Sequence, residues 1–230
     1  MQVIPVIDVK GGVVVHAVGG QRDRYRPIET PLAERSEPLA VVEGLLNVFA
    51  FGRLYIADLD GIAGKRRDIG LIRELRSAWP GLEIWVDNGG SERRDLAELA
   101  SMDRVRPVVG SETLKSDSDL DALWGVAGGD AILSLDFKGD RYIGPDHLMH
   151  DPARWPKTVI AMTLAAVGAA AGPDLLRVRQ LKALRPDAAI VAAGGVRNRC
   201  DLDDLAAAGA SAALVATALH SGTLKAGDLG

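Results

Sequence analysis

Two aspartates occupy matching places in the chain. Ile4-Pro5-Val6-Ile7-Asp8-Val9-Lys10-Gly11 resembles Ile132-Leu133-Ser134-Leu135-Asp136-Phe137-Lys138-Gly139, with Asp, Lys and Gly in register. Two carboxylates that meet one substrate from opposite sides suit proton transfer, one as acid and one as base, provided their surroundings separate their pKa values. Each could instead cap its own loop or pair with Lys10 or Lys138. For one aspartate after one apolar run that local role is the ordinary one, whereas two in symmetric settings point to a site. Glycine clusters form the second constellation: Gly89, Gly110 with Ser111, Gly194 with Gly195, and Thr217 all follow apolar runs. Glycine lets backbone N–H groups approach an anion closely. A lone Gly-Gly serves a tight turn just as well, but two clusters suggest two anion sites and a ligand that is doubly phosphorylated or symmetrically docked.

These residues need a scaffold that gathers strand ends. Short runs rich in Val and Ile recur at 3–7, 54–57, 83–86, 105–109, 131–135, 159–162, 189–192 and 213–215. Continuous apolar runs, rather than strict alternation, mark strands buried on both faces of a parallel sheet. Amphipathic stretches lie between them, including 68–79 and 174–184. Eight strand–helix units in 230 residues predict an α/β fold, a single-domain (β/α)8 barrel. The segment from Ile84 to Leu99 also aligns without a gap on Ile190 to Leu205, and the same offset carries Val109-Gly110-Ser111 onto Val215-Ala216-Thr217. The barrel therefore reads as two four-unit halves, about 1–118 and 119–230. In such a barrel chemistry sits at the C-terminal ends of the strands, and the loops after strands seven and eight often hold phosphate.

Composition narrows the function classes. Lys and Arg number 27 against 31 Asp and Glu, a formal net charge of −4, and 47% of residues are hydrophobic. That balance excludes a disordered chain, and the absence of a basic run argues against a nucleic-acid partner. The single cysteine, Cys200, excludes an internal disulfide framework and reads as packing. The four histidines share no metal-ligand spacing, so no metal is expected. The stretch from Leu205 to Leu224 lacks charged residues but is mostly Ala, Gly, Ser and Thr, and reads as helix end, turn and strand rather than a membrane span. The N-terminus has no basic n-region, so a reduced cytoplasmic protein is expected, with no obligate protein partner evident. Asp58 and Asp60 could serve a site or fix a loop. The arginine-rich segment Gly19 to Arg26 could cover the mouth or form a plain surface loop.

The motifs together resemble a known family. Ile4 to Gly12, Asp58-Leu59-Asp60-Gly61-Ile62-Ala63-Gly64, Val109-Gly110-Ser111, Ser134-Leu135-Asp136 and Gly194-Gly195-Val196 are similar, in order, to the histidine-biosynthesis barrels. The likeness is greater to the isomerase acting on phosphoribosylformimino-aminoimidazole carboxamide ribotide than to its cyclase sister. The resemblance implies an Amadori rearrangement of an aminoaldose to an aminoketose without a cofactor. Asp8 would be the base at C2, Asp136 the acid at the ring oxygen, and Thr163 the remnant of a strand-six motif. One phosphate would sit at each glycine pole. The chain departs from the pattern in several places. Thr163-Leu164-Ala165-Ala166 lacks the motif's carboxylates, Asp87-Asn88-Gly89 replaces three glycines, and His16 and Ala216 replace an Arg and a Gly. A wall rebuilt in this way should change substrate preference. A paralogue acting on another small phosphorylated compound, with one-carbon cofactor biosynthesis a candidate pathway, and a barrel that binds without turnover are the alternatives.

Overall fold

A computed structural model describes residues 1–114, 124–125, 130–168 and 171–229. Its sheet is closed. The strands in chain order are β1 (Gln2–Lys10), β2 (Val13–His16), β3 (Arg26–Pro27), β4 (Arg53–Asp58), β5 (Glu83–Asp87), β6 (Val105–Gly110), β7 (Ile132–Lys138), β8 (Arg141–Ile143), β9 (Thr158–Thr163), β10 (Ala189–Ala193) and β11 (Ala212–Val215). Eight of them pair in parallel around a ring, β1-β4-β5-β6-β7-β9-β10-β11, and β11 returns to β1 with Val3 opposite Ala213. Helices lie between the strands, and the molecule is a (β/α)8 barrel, as the eight apolar runs predicted. The remaining three strands are antiparallel excursions. β2 folds back on β1 with Asp8 opposite Val15, and β8 folds back on β7 with Asp136 opposite Ile143. The two hairpins fall at the places aligned by the internal repeat, each turning on a glycine with positive φ (Gly11 and Gly139). The boundary between 118 and 119 lies outside the described residues.

Side-chain alternation along each strand divides the core. Ile4, Tyr55, Ala57, Trp85, Val108, Ile132, Ile160, Val191 and Leu214 fill the barrel interior. Their neighbours Ile56, Ile84, Leu133, Val159 and Ile190 face the helices. Trp85 plugs the barrel, with Arg53 and Arg106 over its ring and its indole N–H donating to Glu83 at 2.6 Å. The helices Ile69–Ala78 and Leu175–Leu184 fall where the periodicity placed them. Each is capped by an aspartate, Asp68 accepting from Leu71 N and Asp174 from Arg177 N, which satisfies an otherwise orphaned donor. The charge-poor stretch 205–224 is helix end, strand and a short helix. No helix among the described residues is long and apolar enough to cross a membrane. Cys200 corrects the packing expectation: the helix Arg199–Ala207 buries Asp201, Leu202 and Leu205, which leaves position 200 exposed.

Gly44 shows tertiary packing overriding local propensity. In the helix Pro38–Val48 alanine would ordinarily gain about 1 kcal/mol over glycine. A β-carbon at Gly44 would lie 2.1 Å from Leu32 O and 2.8 Å from Leu32 C, backbone atoms that cannot swing aside. Gly44→Ala should therefore destabilise the protein by roughly 2 kcal/mol, as overpacking does. A urea midpoint equal to or above that of the wild type would refute this.

Candidate active site

The C-terminal ends of the barrel strands surround a cavity of about 620 Å³. Asp8 (β1) and Asp136 (β7) both line it, and these strands stand four places apart in the ring, on opposite sides of the mouth. The pair anticipated from the repeat therefore shares one space. Asp136 is 4% exposed and is held on both oxygens, Oδ1 accepting from Ser134 Oγ at 2.8 Å and Oδ2 from Glu112 N at 3.0 Å. Ser111 Oγ accepts from Asp136 N at 2.9 Å and lies 3.1 Å from Oδ2, with its single proton also facing Ile143 O at 2.6 Å. Asp8 is half-buried in the cavity wall. Lys10 is not its partner; that ammonium donates to Arg22 O at 2.7 Å.

Burial dominates the electrostatics. It pushes Asp8 up to about 7, against the Arg22 cation and with help from the charge of Asp87. It pushes Asp136 to about 7 against the Glu112 N–H bond, again with Asp87 adding repulsion. Both groups thus titrate near neutrality, as proton-transferring carboxyls should. A third carboxylate, Asp87 at the end of β5, is pushed up to about 6, chiefly by burial, while the Gly89 N–H bond opposes the rise. Tyr55 on β4 faces Asp87 Oδ2 at 3.4 Å, and its phenol is raised well above its ordinary value by burial and by Asp87, Asp136 and Asp8. Glu112 completes the acidic side and forms an ion pair with Arg22. That pair joins the loop after β6 to the arginine-rich segment across the mouth. Gly19, Gly20, Gln21, Arg22 and Tyr25 line the cavity, so the segment covers the opening, fastened by Gly19 N donating to Val167 O at 2.8 Å.

The two glycine poles differ. Gly194, Gly195 and Thr217 line the cavity together with Gly168 and Ala216. Gly194 and Gly195 adopt φ of +101° and +84°, and β-carbons there would meet Thr163 O at 2.9 Å and Gly172 O at 2.1 Å, so glycine is required at both. Gly89, Gly110 and Ser111 do not line the cavity. The Gly89 N–H turns onto Asp87 Oδ1 at 3.1 Å, and the Ser111 hydroxyl is fully buried against Asp136. A β-carbon on Gly110 would stand 3.4 Å from Asp136 Oδ2 and 3.6 Å from Asp87 Oδ2, which places this glycine between two carboxylates. Thr163 is also displaced from its expected place. Alternation along β9 turns Met162 and the following Leu164 to the cavity, while the Thr163 hydroxyl points to Asp174 Oδ2 at 3.4 Å. Asp58 and Asp60 fix loops: Asp58 accepts from Gly61 N and Asp68 N, and Asp60 from Gly11 N and Lys65.

Tyr55 and Glu112 were missed as site residues. A tyrosine inside an apolar run reads as core, and Glu112 reaches the mouth only because β6 ends in the short turn Ser111–Thr113. Asp87 carried a signal, since it ends β5 as Asp8 and Asp136 mark the mouth ends of β1 and β7.

Fold and site together define a (β/α)8 barrel with buried, mouth-facing carboxyls and a glycine-lined pole. The chain belongs to the histidine biosynthesis protein family, whose model matches residues 2–225. It is 30% identical over 230 residues to an uncharacterized protein of Methanocaldococcus jannaschii, covering 97% of this chain and 95% of that one. It is 27% identical over 237 residues to the 1-(5-phosphoribosyl)-5-((5-phosphoribosylamino)methylideneamino) imidazole-4-carboxamide isomerase of Natronomonas pharaonis, covering 96% and 93%. The isomerase of the same name from Streptococcus sanguinis is 22% identical over 238 residues, covering 98% and 95%.

Proposed function

We propose that the protein is an acid–base isomerase that converts a phosphorylated aminoaldose into the corresponding aminoketose. The observation that carries this reading is the placement of Asp8 and Asp136 across one cavity, each with a carboxyl titrating near neutrality. One carboxyl protonates the ring oxygen, the C1–O bond breaks, and C1 and the substituent nitrogen form a protonated Schiff base. The other carboxylate removes the proton from C2, and the electron pair passes through C1 to nitrogen to give an enaminol. Loss of the C2 hydroxyl proton and protonation at C1 complete the ketose. The family likeness gives Asp8 the C2 step and Asp136 the ring oxygen. Thr163 has no part, because its hydroxyl is directed to Asp174.

The substrate's phosphate is assigned to the pole of Gly194, Gly195 and Thr217. Gly89, Gly110 and Ser111 are given no phosphate in this reading, since the Gly89 N–H and the Ser111 hydroxyl meet carboxylates and Gly110 stands between two of them. A singly phosphorylated substrate therefore fits better than the doubly phosphorylated ribotide of histidine biosynthesis. The ribotide is the second reading, favoured by the full-length match to isomerases named for it.

Incubation of N-substituted phosphoribosylamines with the protein in heavy water should yield aminoketose carrying deuterium at C1. Asp8→Asn and Asp136→Asn should abolish that label. If inorganic phosphate binds but no such compound becomes labelled, the protein is a binding barrel without this activity. Growth of an isomerase-deficient histidine auxotroph carrying the gene would assign the ribotide instead.

A further inference from the structure

The ring places the two poles of the cavity opposite one another. β5, which carries Asp87, stands four places from β10, which precedes Gly194 and Gly195. β6, which leads to Glu112, stands four places from β11, which precedes Thr217. A ligand that spans the mouth from the glycine pole must end against Asp87 and Glu112. Three backbone donors of the described residues at this pole are already engaged. Gly89 N goes to Asp87, Gly90 N to Asn88 Oδ1 at 3.2 Å, and Glu112 N to Asp136. The cations nearby are engaged too, Arg22 with Glu112 and Arg67 with Asp95 at 2.6 Å. Lys138, which also lines the cavity, lies on β7 beyond Asp136 rather than at this pole. The Asp87 carboxyl receives one backbone N–H and one long phenol contact, and therefore has lone pairs left for a ligand. Among the described residues, a second phosphate here would face Asp87 and Glu112 with the Arg22 guanidinium, already paired to Glu112, as the cation beside them, whereas a cationic group would find the lone pairs of Asp87 and relieve the carboxylates' repulsion.

We propose that the ligand is asymmetric, with a monophosphate at the Gly194–Thr217 pole and a protonated nitrogen, such as a primary ammonium or an amidinium, held by Asp87 and Glu112. This inference rests on the phosphate assignment above and adds the chemistry of the other end. Asp87 and Glu112 then select the substrate, and Asp8 and Asp136 act on the bonds between.

Calorimetric titration at about pH 8 with four probes tests this: inorganic phosphate, hexyl phosphate, aminohexyl phosphate and hexanediol bisphosphate. Aminohexyl phosphate should bind roughly tenfold or more tightly than hexyl phosphate, as a charge-assisted hydrogen bond in a partly desolvated site gives. The bisphosphate should bind no more tightly than hexyl phosphate. Asp87→Asn should close the gap between the two monophosphates, and Glu112→Gln should narrow it, giving a second reading if one variant folds poorly. Equal affinity of the two monophosphates, or tightest binding by the bisphosphate, overturns the inference while leaving the phosphate assignment intact. Failure of inorganic phosphate and all three esters to bind overturns both.

Discussion

Asp8→Asn is expected to lose isomerase turnover by about three orders of magnitude, within the range found when a general acid or base is removed. The same variant should unfold at a higher temperature than the wild type at about pH 8. Both effects have one cause. The folded protein holds the Asp8 carboxyl at about 7, whereas the unfolded chain releases its proton near 3.8. Between those values the native state binds a proton that the unfolded state has lost, so this contribution to stability is full below about pH 4. It declines as pH rises and is lost above about 7. Asp87, pushed to about 6, and Asp136, pushed to about 7, act with the same sign. Replacing the Asp8 carboxylate with a neutral amide should recover on the order of 2 kcal/mol at pH 8, about half the full conversion because the group is only partly buried. For a chain of this length that corresponds to a rise of roughly 4–8 °C in melting temperature. The difference between variant and wild type should shrink toward pH 4. A variant that melts lower at pH 8, or retains turnover, would remove Asp8 from the proposed role.

Gly195→Ala should cost about 3 kcal/mol or more of stability and abolish phosphate binding by the protein that remains folded. Its β-carbon would lie 2.1 Å from Gly172 O and 2.5 Å from Gly172 C at a φ of +84°, so steric collision and backbone strain add. The loop must move to relieve them, and the backbone groups facing the cavity move with it. Gly89→Ala is the matched control. It collides with Ile62 Cα at 2.6 Å at a φ of +67° and should also destabilise, yet it lies at the opposite pole, outside the cavity lining. Phosphate affinity should stay within about twofold in Gly89→Ala. Retained affinity in Gly195→Ala, measured at low temperature where circular dichroism shows the folded form, would move the phosphate elsewhere. So would its loss in Gly89→Ala.

The fold was legible in the sequence because its signals are local and repeated. Strands buried on both faces must be apolar without a break, helices must cap their first donors, and the tandem repeat writes each of these twice. Asp68 and Asp174 cap corresponding helices, and Asp8 and Asp136 occupy corresponding hairpins. The Asp8–Asp136 pair is therefore legible in the sequence, since a closed ring of eight brings its first and fifth strands face to face.

The chemistry of the walls was decided by tertiary structure. The glycines of the two poles read alike in the sequence, yet Gly195 lines the cavity while the Gly89 N–H is turned onto Asp87. Thr163 kept a family residue type but lost its place, because a strand sends adjacent side chains to opposite faces and the cavity receives Met162. Glu112 and Arg22 are 90 residues apart and meet only because a loop after the first strand folds over the mouth. Residue type and local periodicity determined that this chain closes into a barrel with two acids at its opening. Which donors remained free to meet a ligand depended on contacts between segments far apart in sequence, and a local pattern does not encode them.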